Sequence, residues 1–262
     1  MRPPSKTPLV ITAVAALGVV LLVAPIVGLV WRTPWTKFFA IVMDDPVREA
    51  AALSMVVATS AAVACVVLGL PLGFVLARSR IRGSRLLRAL ILLPMVLPPV
   101  AGGTALLFAL GRRGIIGQRL DDWFGITLPF STAGAIVAAT FVALPFFVLA
   151  VESALEGLDP ELEETAASLG SSPTRVFITV TVPLIRPAVL AGVTLSWARA
   201  LGEFGATIAF AGDSPGRTRT LPLALYRSLE TDPDQALVMG IVLVAVALSV
   251  LVGLRSRWLT VR

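Results

Sequence analysis

Within the apolar part of this chain, charged side chains are confined to one stretch, Ser196-Trp-Ala-Arg199-Ala-Leu-Gly202-Glu203-Phe-Gly205-Ala-Thr207. Arg199 and Glu203 are four residues apart, the spacing at which opposite charges meet on one helical face. A charge near the middle of a membrane helix costs about 2.5–3.5 kcal/mol on insertion scales, so such residues face a bundle interior or water. Gly202 and Gly205, with Ala198 and Ala206, leave room for a neighbouring helix to approach. Two readings fit: a pathway or gate helix that handles an ion, or an ion pair that holds helices together. Downstream, Asp213 to Pro222 carries Arg217, Arg219 and several hydroxyls. That loop either meets an anion or docking partner, or is a solvated turn.

Histidine is absent and Cys65 is the single cysteine. This excludes His-based triads, His-ligated metals, intrachain disulfides and Cys-rich zinc sites. The two lysines, Lys6 and Lys37, do not follow a glycine, so there is no P-loop and ATP cannot be bound in that manner. No metal or cofactor is expected on this chain, and whatever drives it must come from elsewhere.

The elements that position Arg199 and Glu203 read as membrane helices. Of 262 residues, 56% are hydrophobic and 15% charged, with a mean hydropathy of +0.89; a soluble domain carries about 25% charge. The net charge of +6 and pI near 10.9 come from arginines placed mostly beside apolar runs. That is how a membrane protein uses basic residues, and it argues against nucleic acid as a partner. About 20 apolar residues cross a bilayer core. The chain supplies six such runs, at about 9–31, 50–77, 89–111, 131–151, 187–212 and 236–254, so the expected fold is an all-α integral membrane protein. The first run is longer than a signal-peptide core and lacks a convincing cleavage site, so it reads as a retained helix. The third contains Leu93-Pro-Met-Val-Leu-Pro-Pro-Val-Ala-Gly-Gly103 and is expected to be broken or kinked, either lining a pathway or merely packing.

Six spans put both termini on one side. Residues 1–8, the cluster Arg78, Arg80, Arg82, Arg85 and Arg88, the loop 152–186 and the tail 255–262 carry twelve Lys and Arg; the opposite loops carry nine. The cluster sits directly at span ends, where basic residues set orientation, so the termini and the 152–186 loop are expected in the cytoplasm.

That loop is the polar island of the chain, Leu158-DPELEETAASLGSSPTRVFITVTVP-Leu184. Asp159 suits an N-cap, Pro160 the first helical position, and Glu161, Glu163 and Glu164 an acidic first turn. Leu158, Leu162, Ala166 and Leu169 form one apolar stripe. Gly170 suits the left-handed closing residue, and Ser172-Pro173 starts a second short helix. A compact capped helix in a loop of a membrane protein points to a partner.

The island resembles the coupling motif of ATP-binding-cassette (ABC) import permeases: Glu-Ala-Ala, three residues, Gly, nine residues, Ile-x-Leu-Pro. Here it stands as Glu164-Thr165-Ala166, Gly170 and Val180-Thr181-Val182-Pro183, with the spacing kept and Thr165, Val180 and Val182 as conservative departures. Ala198 to Thr207, Ala211-Gly212 and Thr220-Leu-Pro-Leu-Ala224 are similar to the oxyanion branch, most of all to molybdate permeases. Sulfate and thiosulfate permeases are similar too, but tend to have Tyr where Phe204 stands. The motifs cover Glu152 to about Ala236; the first half matches only in span layout.

The resemblance implies a type I ABC-importer permease (MetI-like) fold and a homodimer in the bacterial or archaeal cytoplasmic membrane. It also implies two copies of a separate ATPase holding ATP and Mg, and an extracytoplasmic molybdate-binding protein. Glu164, Thr165, Ala166, Gly170, Val180 and Pro183 carry over as the coupling motif. Arg199, Gly202, Glu203, Gly205 and Thr207 carry over as the oxyanion-branch signature, with a pathway or gate as their implied place. A sulfate or thiosulfate permease is the same-class alternative. An ion-coupled secondary transporter is disfavoured by the motif spacing and by the absence of an acidic relay outside the fifth span. An intramembrane enzyme is disfavoured by the lack of histidine and of intramembrane aspartate.

Overall fold

The computed structural model describes residues 9–78 and 83–258, which are helix or connecting loop without a strand. The head 1–8, Arg80 and Arg82 of the basic cluster, residues 259–262 and the side chains of Arg255 and Arg257 lie outside the described residues. In chain order the helices begin with α1 (Leu9–Arg32), α2 (Phe38–Val42), α3 (Asp45–Arg78), α4 (Ser84–Val96), α5 (Pro99–Leu110), α6 (Gly117–Phe124) and α7 (Thr132–Glu156). They continue with α8 (Glu161–Ser168), α9 (Pro173–Val176), a π-helical turn (Phe177–Thr181), α10 (Val182–Leu184), α11 (Arg186–Leu201), α12 (Gly205–Phe210), α13 (Leu221–Thr231) and α14 (Pro233–Trp258).

Among the described residues, α1, α3, α7 and α14 are each long and apolar enough to cross a membrane, and two bent pairs, α4 with α5 and α9–α10 with α11, raise the number to six. The core is built on α7, which packs against α3 and α11. Its inner face is Ala135, Ala139, Ala143, Phe147, Val151 and Leu155, all buried. Phe147 wedges between Gly69 of α3 and Gly192 of α11, where an added Cβ would lie 2.5 and 3.0 Å from its ring. Small residues bring the backbones close, which is how membrane helices gain packing energy without a hydrophobic driving force. The register also fixes direction. Cys65, Gly69 and Gly73 face Thr140, Phe147 and Val151 in turn, so α3 and α7 run parallel. The α4–α5 pair therefore returns the chain from one end of the bundle to the other, despite its bend.

That bend measures 119° and follows from Leu97-Pro98-Pro99. A residue before proline is pushed out of the helical region. Leu97 (φ −63°, ψ 137°) and Pro98 (φ −53°, ψ 131°) are both extended, as this requires. The fifth apolar run, which the sequence pattern reads as one span over 187–212, is instead divided. Helix α11 ends at Leu201, Phe204 leaves helical geometry (φ −125°, ψ −58°) and α12 restarts at Gly205. Two glycines weaken helical continuity here, and the Glu203 side chain offers the backbone another partner.

The two breaks meet. Helix α12 packs along α5, with Gly205 against Pro99 and Gly103 against Ala206. A Cβ at Gly103 would lie 2.6 Å from the Ala206 carbonyl oxygen and 2.7 Å from the Ala209 Cβ. At Gly18 nothing lies within 4 Å. Replacing Gly103 by alanine is therefore expected to force α5 and α12 apart and cost about 1–3 kcal/mol, read as a lowered unfolding midpoint in detergent, while Gly18→Ala leaves the midpoint unchanged.

Candidate functional site

Two groups of residues have geometry that calls for a functional explanation, and α11 connects them. The first lies at the break between α11 and α12. Glu203 follows the last turn of α11, and its side chain is only 1% exposed. Its Oε1 accepts the Ala206 backbone N–H at 2.7 Å, capping the start of α12. Its Oε2 lies 2.7 Å from Nη1 of Arg199, whose side chain is 28% exposed. The charges complement the helix ends they occupy: the cation in the last turn of α11, the anion before the first turn of α12. One carboxylate thus supplies the hydrogen bond lost at the break and neutralises the arginine. Gly202, between them, is exposed and would meet only the Ala198 carbonyl, at 3.8 Å, if it carried a Cβ. Gly205 and Thr207 are buried in α12. Phe204 leaves the break to pack on Tyr226 of α13, ring centroids 5.0 Å apart.

The loop that follows is internally paired. Asp213 accepts from Arg219 at 2.6 Å and from Arg227 at 2.8 Å. Burial opposes ionisation of Asp213, but the two guanidiniums outweigh it and hold its carboxyl below the usual carboxylate range. Arg219 is therefore committed within the loop, while Arg217 is exposed.

The second group is at the opposite end of α11. Asp159 Oδ1 accepts the Glu161 N–H at 3.0 Å, opening α8. The helix closes with Gly170 N–H to Ala167 O at 2.9 Å and Ser171 N–H to Ala166 O at 3.2 Å. This paired closure needs a left-handed residue, and Gly170 has φ +87°. Ser172 caps α9 through the Arg175 N–H. Glu164 and Thr165 are exposed, Ala166 is half-buried, Val180 lies half-buried in the π turn and Pro183 is exposed in α10. Helix α8 buries none of its residues. Leu158 of the apolar stripe packs against the core and Ala166 is half-buried, but Leu162 and Leu169 are 46% and 83% exposed among the described residues. A groove of about 280 Å³ lined by Phe74, Glu163, Glu164, Ala167, Phe177 and Thr181 runs beside it.

Ion pairs fasten this end. Arg78 Nε lies 3.0 Å from Glu163 Oε2. Arg88 of α4 donates through Nε to Glu152 at 2.8 Å and through Nη2 to Glu156 at 2.9 Å, both on α7. Glu152 is otherwise buried.

A capped helix with exposed leucines at one end and a charged break within the bundle suit a transport subunit driven from outside. Residues 69–261 match the model of the family described as the binding-protein-dependent transport system inner membrane component. This chain belongs to that family. The permease is 46% identical over 257 residues, 98% of its own length and 97% of the relative's, to the molybdenum transport system permease protein ModB of Mycobacterium tuberculosis. It is 42% identical over 218 residues, 83% of its length and 95% of the relative's, to ModB of Escherichia coli. In fold it resembles a bacterial ABC transporter involved in the import of alginate, with a TM-score of 0.75 at 16% identity over 96% of each chain. It also resembles the MetNI methionine ABC transporter, with a TM-score of 0.63 at 19% identity, covering 82% of the permease and 97% of that chain.

Sequence spacing does not connect Arg78 of the permease with Glu163, or Arg88 with Glu152 and Glu156. The arginines read as flanking charge and the acids of α8 as complements to a helix dipole. The available signal is compositional: an acidic stretch from Glu152 to Glu164 in a loop expected on the same side of the membrane as the basic cluster.

Removing one member of a buried pair leaves the other uncompensated. Glu203→Ala, which also strands the Ala206 N–H, is expected to cost on the order of 3 kcal/mol. Glu203→Gln keeps an acceptor for that N–H and should cost less. Unfolding midpoints of the two variants in detergent check the order.

Proposed function

We propose that this permease is the membrane-spanning subunit of an ATP-driven importer of molybdate, with tungstate as a further substrate. The observation that carries the cargo is 46% identity to a molybdenum permease over nearly the full length of both chains. The family match and the exposed apolar residues of α8 support the external drive. In this reading two copies of the chain pair in a bacterial or archaeal cytoplasmic membrane, with both termini and the 152–186 loop in the cytoplasm. Two copies of an ATP-binding-cassette ATPase hold ATP and Mg, and the chain itself binds no cofactor and has no ATPase site. An extracytoplasmic molybdate-binding protein delivers the anion.

The exposed stripe of α8, with the motif Glu164, Thr165, Ala166, Gly170, Val180 and Pro183, docks on the ATPase. Closure of the ATPase pair moves α8, and the spans pass between inward- and outward-facing states. Helix α11 has 16 residues, about 24 Å of stiff rod, and runs to the break at Gly202 from a 74° bend at Ile185, which joins it through α10 to the π turn at the docking end. Gly202, Gly205 and Thr207 line or shape the proposed pathway with Arg199 and Glu203. A dianion in a low-dielectric passage needs a positive partner. Arg199 has five N–H donors, and its partial exposure leaves part of the guanidinium open toward a passing anion. Glu203 keeps the arginine oriented and compensated when the passage is empty.

The test is uptake into vesicles carrying the complete complex. Molybdate should enter only with ATP and the binding protein, tungstate should compete, and a large excess of sulfate should not. Uptake of sulfate in preference to molybdate would assign the permease to the sulfate and thiosulfate branch. Arg199→Gln should slow molybdate uptake, measured per assembled complex, by about tenfold, more than it lowers assembly, in line with about 1.4 kcal/mol lost at one charge-assisted contact. Normal uptake by that variant would make Arg199 a helix-packing residue.

A further inference from the structure

Three acids occupy the first turn of α8, and only one of them is built into the fold. Glu161 and Glu164 are exposed. The Glu163 side chain is 17% exposed, and both of its oxygens are engaged by different elements. Oε2 lies 3.0 Å from Nε of Arg78, the last residue of α3. Oε1 accepts the Thr181 hydroxyl at 2.6 Å. Thr181 is 1% exposed and ends the π turn, from which the chain enters α10 and α11. A π turn inserts an extra residue into the helical ladder and re-aims the side chains that follow. Phe74, one turn before Arg78, meets Phe177 at the start of that turn edge-on, ring centroids 4.9 Å apart. Arg78 also donates to the Leu158 carbonyl at 3.3 Å, in the link between α7 and α8.

We infer that Glu163, the residue preceding the coupling motif, is the positioning residue that ties α8 at once to α3, through Arg78, and, through Thr181, to the π turn that leads by α10 and a 74° bend into α11. A helix held only by its flanking loops would tilt when its partner moved, and little of that motion would reach the bundle. With both carboxylate oxygens committed, displacement of α8 pulls α3 and the π turn together. Partial burial shields the pair from salt, unlike a surface ion pair. Leu162 and Glu164 on α8 and Leu169 at its end stay exposed for the partner. Docking and transmission thus use different side chains of one short helix. This inference rests on the reading of α8 as the ATPase-docking helix.

The test uses the full complex of permease, ATPase and binding protein in proteoliposomes, with molybdate taken up per ATP hydrolysed as the readout. Glu163→Ala should co-purify with its ATPase as the native permease does and hydrolyse ATP within about twofold of the native rate, while uptake per ATP falls at least about fivefold. Exchanging the charges, Glu163→Arg with Arg78→Glu, should restore at least about half of the native ratio, which a merely disordered helix would not allow. A native ratio in Glu163→Ala, a loss that the exchange does not rescue, or loss of the ATPase from the purified complex would each overturn the inference. A spin label on Leu229, exposed on α13, reads the ATP-driven distance change between the two copies without reference to the cargo. That change should vanish in Glu163→Ala and return in the exchanged pair; its persistence in Glu163→Ala overturns the inference. A native complex that shows the change but takes up no molybdate overturns the cargo assignment and leaves Glu163 to be decided by the distance.

Discussion

A backbone interrupted inside an apolar bundle has to find its lost hydrogen bonds within the protein, because lipid supplies none. This constraint governs the centre of the permease. Both interrupted spans place their breaks side by side, so that α5 and α12 cover each other through Gly103 and Gly205. The Glu203 carboxylate then replaces the missing acceptor at the start of α12 and neutralises Arg199 at the end of α11. An apolar residue at position 203 would leave both an unsatisfied N–H and a stranded cation. The arrangement keeps a positive charge close to an exposed glycine at low cost, and an anion passage needs the same conditions.

The opposite end of α11 obeys a different constraint. Helix α8 is too short to be stable alone and buries none of its own residues. It is held by its caps, an ion pair and a hydrogen bond: Asp159 and Gly170 cap it, and Glu163 pairs with Arg78 and accepts the Thr181 hydroxyl. Its apolar residues are left outward. A soluble domain would turn Leu162 and Leu169 inward; here they remain exposed, which supports a second protein as their cover.

Much of the fold was legible in the chain because lipid solvation imposes simple demands. Of the six apolar runs, four correspond to long helices and the third to the bent pair α4–α5, whereas the fifth is divided between α11 and α12, with α11 bent against α9–α10 at its other end. The break in the third run was readable from Leu97-Pro98-Pro99, since proline dictates its own geometry and that of the residue before it. The break in the fifth was not: Gly202 and Gly205 weaken a helix without ending it, and what decides is the Glu203 carboxylate turning back onto Ala206. Within the candidate sites, Asp159, Gly170 and Ser172-Pro173 announced the caps of the island because capping is local. The contacts of Arg78 with Glu163 and of Arg88 with Glu152 join residues far apart in the chain, and no periodicity encodes them.

The central claim is that the break between α11 and α12 faces a passage open to opposite sides of the membrane in turn. Gly202 allows a direct probe, since it is exposed and has room for a side chain. With Cys65 replaced by alanine, Gly202→Cys can be challenged with a membrane-impermeant thiol reagent from each side of vesicles carrying the full complex. An alternating passage requires labelling from one side at rest and from the opposite side once the ATPase is trapped with ATP and vanadate. Labelling from one side in both states, or none in either, would contradict it.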